Sequence, residues 1–125
     1  MRNAHPNIIL LFVKSPKASI KFYQAVLEFK VIEESPTFAM LTLNDSTMLG
    51  LWATEGVEPK VTSTPGAMEI GIQVDDRNIV DQLCVDWQTK SVIFAQSPTK
   101  LDFGYTFVGL DPDGHRIRVF APEAP

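Results

Sequence analysis

The stretch Ile8–Leu27, IILLFVKSPKASIKFYQAVL, contains the two signals on which the fold assignment depends. Its first six residues, Ile8–Val13, form an apolar run rich in β-branched residues, which is typical of a buried strand. Ser15 is a favourable helix N-cap and Pro16 is a favourable first helical residue, so a helix is expected directly after the strand. The stretch therefore predicts a strand followed by a helix that ends near Glu28, with its apolar residues on one face.

Three strands are predicted after this helix, and the second half of the chain repeats the same order of elements. The three strands are predicted at Lys30–Glu34, Phe38–Leu43 and Thr47–Ala53. A segment rich in proline and glycine, residues 55–66, predicts a linker between the halves. The second half is predicted to contain a strand at Glu69–Val74, a helix at Arg77–Thr89, and strands at Val92–Gln96, Tyr105–Leu110 and His115–Phe120. Ser97-Pro98 is predicted to break the first of these last three strands. The chain is thus predicted as one α+β domain of two β-α-β-β-β modules, about residues 1–54 and 67–121.

The alternation of side chains along each strand predicts which residues share a face of the sheet. Small and branched apolar residues are assigned to the helix side, among them Leu11, Leu49, Leu51, Ile117 and Val119. Large aromatic, methionine and charged residues are assigned to the opposite side, among them Phe12, Phe38, Met40, Met48, Trp52, Glu69, Tyr105, Phe107, Arg116 and Arg118. So many rings on one face favour a platform on which a flat aromatic ligand stacks, centred on Trp52. The alternative interpretation of these residues is a layer of large hydrophobes that covers a sheet.

Composition and charge exclude several classes of protein. A length of 125 residues suits one compact domain, and 11 basic against 15 acidic residues give a net charge of −4. Because the basic residues are scattered, a nucleic acid or an anionic membrane is a poor partner. The longest apolar run is six residues, which is too short to span a bilayer, and no signal peptide is evident. The single cysteine, Cys84, excludes an internal disulfide and fits a reducing cytoplasm; it is interpreted as a buried structural thiol.

Three phrases of the sequence carry a family resemblance that covers nearly the whole chain. They are Ala18–Tyr23 (ASIKFY), Val74–Asp76 (VDD) and Asp111–Ile117 (DPDGHRI). With the doubled module, these phrases resemble the vicinal oxygen chelate superfamily, also called the glyoxalase/bleomycin resistance/dioxygenase superfamily. The resemblance implies paired modules that form a cupped, incompletely closed sheet with the helices outside. It also implies a homodimer, because the superfamily builds its clefts from paired modules.

Within that superfamily, three other stretches resemble a branch of phenazine antibiotic resistance proteins. They are Ser35–Met40 (SPTFAM), Met48–Trp52 (MLGLW) and Asp102–Phe107 (DFGYTF). This branch is implied to bind planar aromatic antibiotics in the cytoplasm without a metal.

The resemblance also identifies the positions where metal-dependent members of the superfamily hold their metal ligands. These positions are Ile8, Glu69 and Arg118 in this sequence. A first-row divalent metal needs several nitrogen, oxygen or sulfur donors around one centre. Ile8 offers no donor and Arg118 is a permanent cation, so we expect no metal and no cofactor. Glu69 and Arg118 are interpreted either as an ion pair that replaces the metal or as an anchor for a ligand carboxylate, and the two interpretations are compatible.

The sequence therefore favours a metal-independent protein that binds and sequesters a planar aromatic small molecule. No catalytic residue is assigned, and His115 is interpreted as a turn residue. The predicted ligand-binding residues are Trp52, Phe12, Phe38, Met40, Met48, Glu69, Tyr105, Phe107 and Arg118. One alternative is a metal-dependent enzyme of glyoxalase or dioxygenase type. Another is a structural or regulatory dimer whose cleft is filled by its own side chains.

Overall fold

The computed structural model describes residues 5–125, in which the β-α-β-β-β order occurs twice. The first half contains β1 (Ile8–Val13), α1 (Pro16–Leu27), β2 (Val31–Glu34), β3 (Phe38–Asn44) and β4 (Thr47–Ala53). The second half contains β5 (Glu69–Gln73), α2 (Arg77–Thr89), β6 (Ile93–Leu101), β7 (Gly104–Leu110) and β8 (Arg116–Pro122). The predicted α+β class and the repeated order of elements are confirmed. Over this described range, neither α-helix has the length and apolar character needed to cross a membrane.

The first compact unit extends to Ser63 and consists of one mixed sheet with a helix on one face. Its strand order is β1-β4-β3-β2, with β1 parallel to β4 and the remaining pairs antiparallel. The Ser15 hydroxyl accepts the Ala18 N–H at 3.2 Å, so this residue caps α1 as predicted. The buried side chains of α1, including Ile20 and Tyr23, belong to the same apolar core as the helix-facing residues of the sheet.

The second compact unit, from Thr64 to Pro125, has the same architecture. Its strand order is β5-β8-β7-β6, again with one parallel pair, β5 and β8. The Asp76 carboxylate accepts the Ile79 N–H at 3.1 Å and caps α2. Trp87 and Cys84 on α2 are buried, as predicted for both, and burial raises the pKa of the Cys84 thiol.

The predicted break of the sixth strand at Ser97-Pro98 is wrong. β6 continues through both residues to Leu101, and its register against β7 shifts on either side of Gln96. A proline cannot donate to a sheet ladder, but β6 is the edge strand and irregular pairing at this point leaves no ladder bond for Pro98 to remove. The position of a strand in its sheet therefore decides whether a proline ends it.

Candidate functional site

An apolar surface covers the face of the first sheet that points away from α1. The register places Phe12, Trp52 and Phe38 in one row across β1, β4 and β3. Their sequence neighbours Leu11 and Leu51 are buried on the helix side, as the strand alternation predicts. We call this surface the aromatic face, and its members are Ile8, Leu10, Phe12, Phe38, Met40, Met48 and Trp52.

Trp52 occupies the middle of the row and is held by a ring on each neighbouring strand. Its indole centroid lies 6.4 Å from the ring of Phe12 and 6.4 Å from the ring of Phe38, with interplanar angles of 73° and 85°. Such edge-to-face contacts fix the orientation of an aromatic ring. The exposed fractions of Ile8, Leu10 and Phe12 are 38 %, 41 % and 37 %. The aromatic face therefore combines a fixed indole with large apolar side chains that water still reaches.

Gly50 lies in the next row of the same face, between Leu10 and Met40. A Cβ atom at this position would lie 2.5 Å from Cδ2 of Leu10 and 3.3 Å from the ring of Phe38. Because Gly50 has no side chain, Leu10 and Phe38 can pack over β4 at this position. Part of the aromatic face is filled by the chain's own side chains.

Tyr105 and Phe107 were predicted to lie on the side of the sheet opposite the helix, as Trp52 does in the first sheet. This prediction is wrong. Both lie on the helix side of the second sheet. Phe107 is fully buried, with its ring centroid 5.0 Å from that of Trp87. The Tyr105 hydroxyl donates to Oδ1 of Asp81 on α2 at 2.8 Å, which raises the pKa of Tyr105. Antiparallel pairing sets Phe107 opposite Val119, and directly paired residues share a face, so both rings belong to the helix side.

The opposite face of the second sheet carries Glu69, Arg116 and Arg118, and the ring of Phe120 lies on the same face of β8. Arg118 donates from Nε and Nη2 to the two carboxylate oxygens of Glu69, at 2.8 and 2.9 Å, so the predicted pair has bidentate geometry. Nη2 of Arg116 lies 2.7 Å from Oε2 of the same carboxylate. The hydrogen bonds and charge of Arg118, with a smaller contribution from Arg116, lower the pKa of Glu69 despite partial burial. The pair stays ionised at neutral pH.

The remaining donors of Arg118 are bound within the unit. Its Nη1 donates to Oε1 of Gln96 at 3.3 Å and to Oγ1 of Thr106 at 3.2 Å, and the Thr106 hydroxyl donates to the Val119 carbonyl at 2.8 Å. Gln96, Thr106 and Arg116 were not among the predicted site residues. The sequence signal for Arg116 is its position two residues before Arg118, which puts both on one face of β8.

The residues at the metal-ligand positions do not fit a divalent cation. Glu69 is held by two guanidinium groups, Arg118 is itself cationic, and Ile8 has no donor atom. In the described part of the chain, no three His, Cys, Asp or Glu side chains form a group that could hold a metal ion. The donor set of these positions therefore does not fit a divalent cation.

Comparison with known proteins gives one family and one curated relative that covers most of the chain. Residues 5–119 match the family described as the Glyoxalase/Bleomycin resistance protein/Dioxygenase superfamily. The chain is 30 % identical over 117 residues to the phenazine antibiotic resistance protein EhpR of Enterobacter agglomerans. That alignment covers 91 % of this chain and 89 % of the relative.

Solved structures share the fold over nearly the full length. The solution structure of protein ATC0852 from Agrobacterium tumefaciens is 40 % identical, with a TM-score of 0.87, and the match covers 98 % of this chain and 100 % of that one. A glyoxalase-related enzyme from Fulvimarina pelagi is 22 % identical, with a TM-score of 0.81, covering 94 % of this chain and 87 % of that one. At that level of identity the second match shows the fold alone.

Proposed function

The chain belongs to the glyoxalase/bleomycin resistance protein/dioxygenase superfamily, and on that premise we propose that it binds and sequesters a planar aromatic small molecule without a metal. The observation that carries the proposal is the row Phe12–Trp52–Phe38, in which an indole is fixed by perpendicular rings on both sides. A fixed ring loses little further entropy when a ligand stacks on it.

The chemistry of the aromatic face selects the type of ligand. Its seven members are uncharged and apolar, while Glu33 and Thr42 lie on the same side of the sheet opposite Met40 and Met48. Affinity at the Trp52 row therefore comes from removing apolar surface from water and from ring contacts. A flat, neutral polycycle fits this chemistry, whereas a small polar metabolite gains little from it. The relative EhpR is named for resistance to a phenazine antibiotic, and phenazine is therefore the first probe.

A metal-dependent enzyme of glyoxalase or dioxygenase type is the alternative, and the donor set argues against it. Glu69 is the one carboxylate among the three ligand positions, and two arginines already occupy its oxygens. Loading a divalent cation there would place it beside two permanent positive charges. The proposed binding function needs no such ion.

We expect phenazine to bind the purified protein to saturation, with the same affinity in EDTA as in excess zinc. The reason is that stacking and desolvation involve no metal ligand. The measurement is a calorimetric titration in the two buffers. Binding that requires zinc would support the enzyme alternative, and absence of binding in both buffers would contradict the proposed function.

A structural or regulatory dimer is the second candidate, and one observation favours it. Leu10 and Phe38 already cover Gly50, so the aromatic face is partly self-filled. If the cleft is filled by the protein's own side chains, phenazine would not bind. Replacing Trp52 would then change the stability of the protein and not its affinity for a ligand. The homodimer stays a prediction from the family resemblance, and the cytoplasmic location stays a prediction from the single cysteine together with that resemblance.

A further inference from the structure

Gly50 is buried on the aromatic face although it has no side chain, because two neighbours cover it. It lies in one row with Leu10 and Met40, next to the row that contains Trp52. A Cβ atom built there would lie 2.5 Å from Cδ2 of Leu10 and 3.3 Å from Cε1 and Cζ of Phe38. The ends of two side chains therefore occupy the space that a side chain at position 50 would take. We call this space the Gly50 slot.

The two side chains that cover the slot differ in how firmly they are held. The Phe38 ring lies edge-to-face against Trp52. The Phe38 carbonyl accepts the Ser35 N–H at 2.8 Å, and the Phe38 N–H donates to the Ser35 hydroxyl at 3.2 Å. Leu10 is 41 % exposed and reaches the slot with a terminal methyl group, and exposed side chains change rotamer within picoseconds to nanoseconds. Leu10 is therefore the part of the cover that can turn away while the backbone stays in place.

The spacing of the face shows which ligands need the slot, because side chains two residues apart on one face of a strand lie about 6.7 Å apart. The indole of Trp52 has two fused rings, so a ligand of three fused rings stacked on it extends beyond its edge. Across the strands, the rings of Phe12 and Phe38 flank the indole. Along β4 a 3₁₀ helix, Thr54–Gly56, follows, and Nε1 of the indole would lie 3.7 Å from a Cβ atom at Gly56. The slot is the space along β4 that remains for the third ring.

We propose that Leu10 is a side-chain gate over the Gly50 slot, and that a flat ligand of three fused rings places its third ring in the slot after Leu10 turns away. The ring then lies against the backbone of Gly50, an approach that a residue without a side chain permits. The gate selects ligands by length, since a two-ring ligand on Trp52 leaves Leu10 in place. The inference rests on the proposed function and deepens it, because it names the residue that determines ligand length at the same site.

The test compares phenazine with quinoxaline, which keeps the diazine ring and lacks one of the two benzo rings. Leu10→Ala removes the gate and should tighten phenazine binding about 3–10-fold, the order expected when an unfavourable side-chain displacement is no longer needed. Quinoxaline binding should change less. A Leu10 that merely contacts the ligand predicts the opposite sign, since its loss would weaken phenazine binding. Calorimetric titration of both ligands measures the changes.

Two further variants separate the gate from general effects. Gly50→Ala fills the slot permanently and should weaken phenazine binding by about tenfold, with a smaller effect on quinoxaline. It should still fold, because the atoms that its Cβ meets are the ends of side chains and not backbone. Val85→Ala shortens another exposed aliphatic side chain, on α2, and should change neither affinity.

A nuclear Overhauser cross-peak between the Leu10 methyl groups and the Gly50 α-protons reports the position of the gate. We expect it in the free protein and with saturating quinoxaline, and we expect phenazine to remove it. The inference is overturned if the cross-peak persists at saturating phenazine, or if Leu10→Ala leaves phenazine affinity unchanged or weakens it. In these cases phenazine still binds the parent protein and the proposed function survives. If neither the parent protein nor Leu10→Ala binds phenazine, the proposed function and the gate are both contradicted.

Discussion

Replacing Trp87 by alanine is expected to lower the free energy of unfolding by about 3–5 kcal/mol, the range for removing a large buried aromatic side chain. The indole is 1 % exposed and makes an edge-to-face contact with Phe107. It also lies over Gly109, where an added Cβ would be 2.9 Å from Cζ3 of the indole. Alanine would leave a cavity that these rigid neighbours cannot fill. Urea denaturation followed by far-ultraviolet circular dichroism measures the loss.

Trp52→Ala is the matched control for this prediction, because it removes the same side chain from a half-buried position. Its loss of stability should be clearly smaller, since part of the Trp52 surface is already in contact with water. Trp87→Phe keeps a ring in the core, and its loss of stability should lie between the losses of the two alanine variants. Equal losses in the two alanine variants would show that Trp52 is as much a core residue as Trp87, which would favour the self-filled candidate.

The same Trp52→Ala variant is expected to weaken phenazine binding by a factor of about 5–30, which corresponds to 1–2 kcal/mol for one lost stacking partner and its buried area. Trp52→Phe keeps an aromatic ring between Phe12 and Phe38 and should lose less affinity. The measurement is a calorimetric titration of each variant under identical conditions.

Thermal melts decide whether a change in affinity reports binding or folding. A folded Trp52→Ala protein with unchanged affinity for phenazine would contradict stacking on the aromatic face. A folded variant with reduced affinity, with Trp52→Phe between it and the parent, would support the indole as the platform.

The order of elements could be predicted from the sequence because each signal is local. Ser15 and Asp76 cap the two helices with their own side chains, and both caps are present in the structure. Strand alternation correctly separated Leu49 and Leu51 from Trp52, since the period of two holds within any single strand. These inferences needed no knowledge of which strands are neighbours.

The errors arose where neighbouring strands decide the outcome. Pro98 looked like a strand break, yet it is accommodated because β6 is at the edge of its sheet. Phe107 looked like a site residue because it is aromatic, although its face depends on the register with β8. That register is set by the turn at residues 111–115, whose geometry the sequence pattern alone does not define.

The residues of the candidate site could likewise be predicted from the sequence only in part. The Glu69–Arg118 pair could be predicted because the family resemblance places both residues at former metal-ligand positions. The participation of Arg116 through Glu69, and the use of Gln96 and Thr106 to satisfy Arg118, depend on side-chain geometry across four strands. A sequence pattern identifies the residues of a face, but it does not say which donors remain unpaired.

Nuclear Overhauser contacts between phenazine protons and the protein, measured in EDTA, test most directly whether the ligand stacks on the aromatic face. The proposed function predicts cross-peaks from phenazine to the indole of Trp52 and to the rings of Phe12 and Phe38, because these three form the row on which the ligand stacks. Cross-peaks that are confined to other residues, or a complete absence of cross-peaks at saturating phenazine, would contradict it.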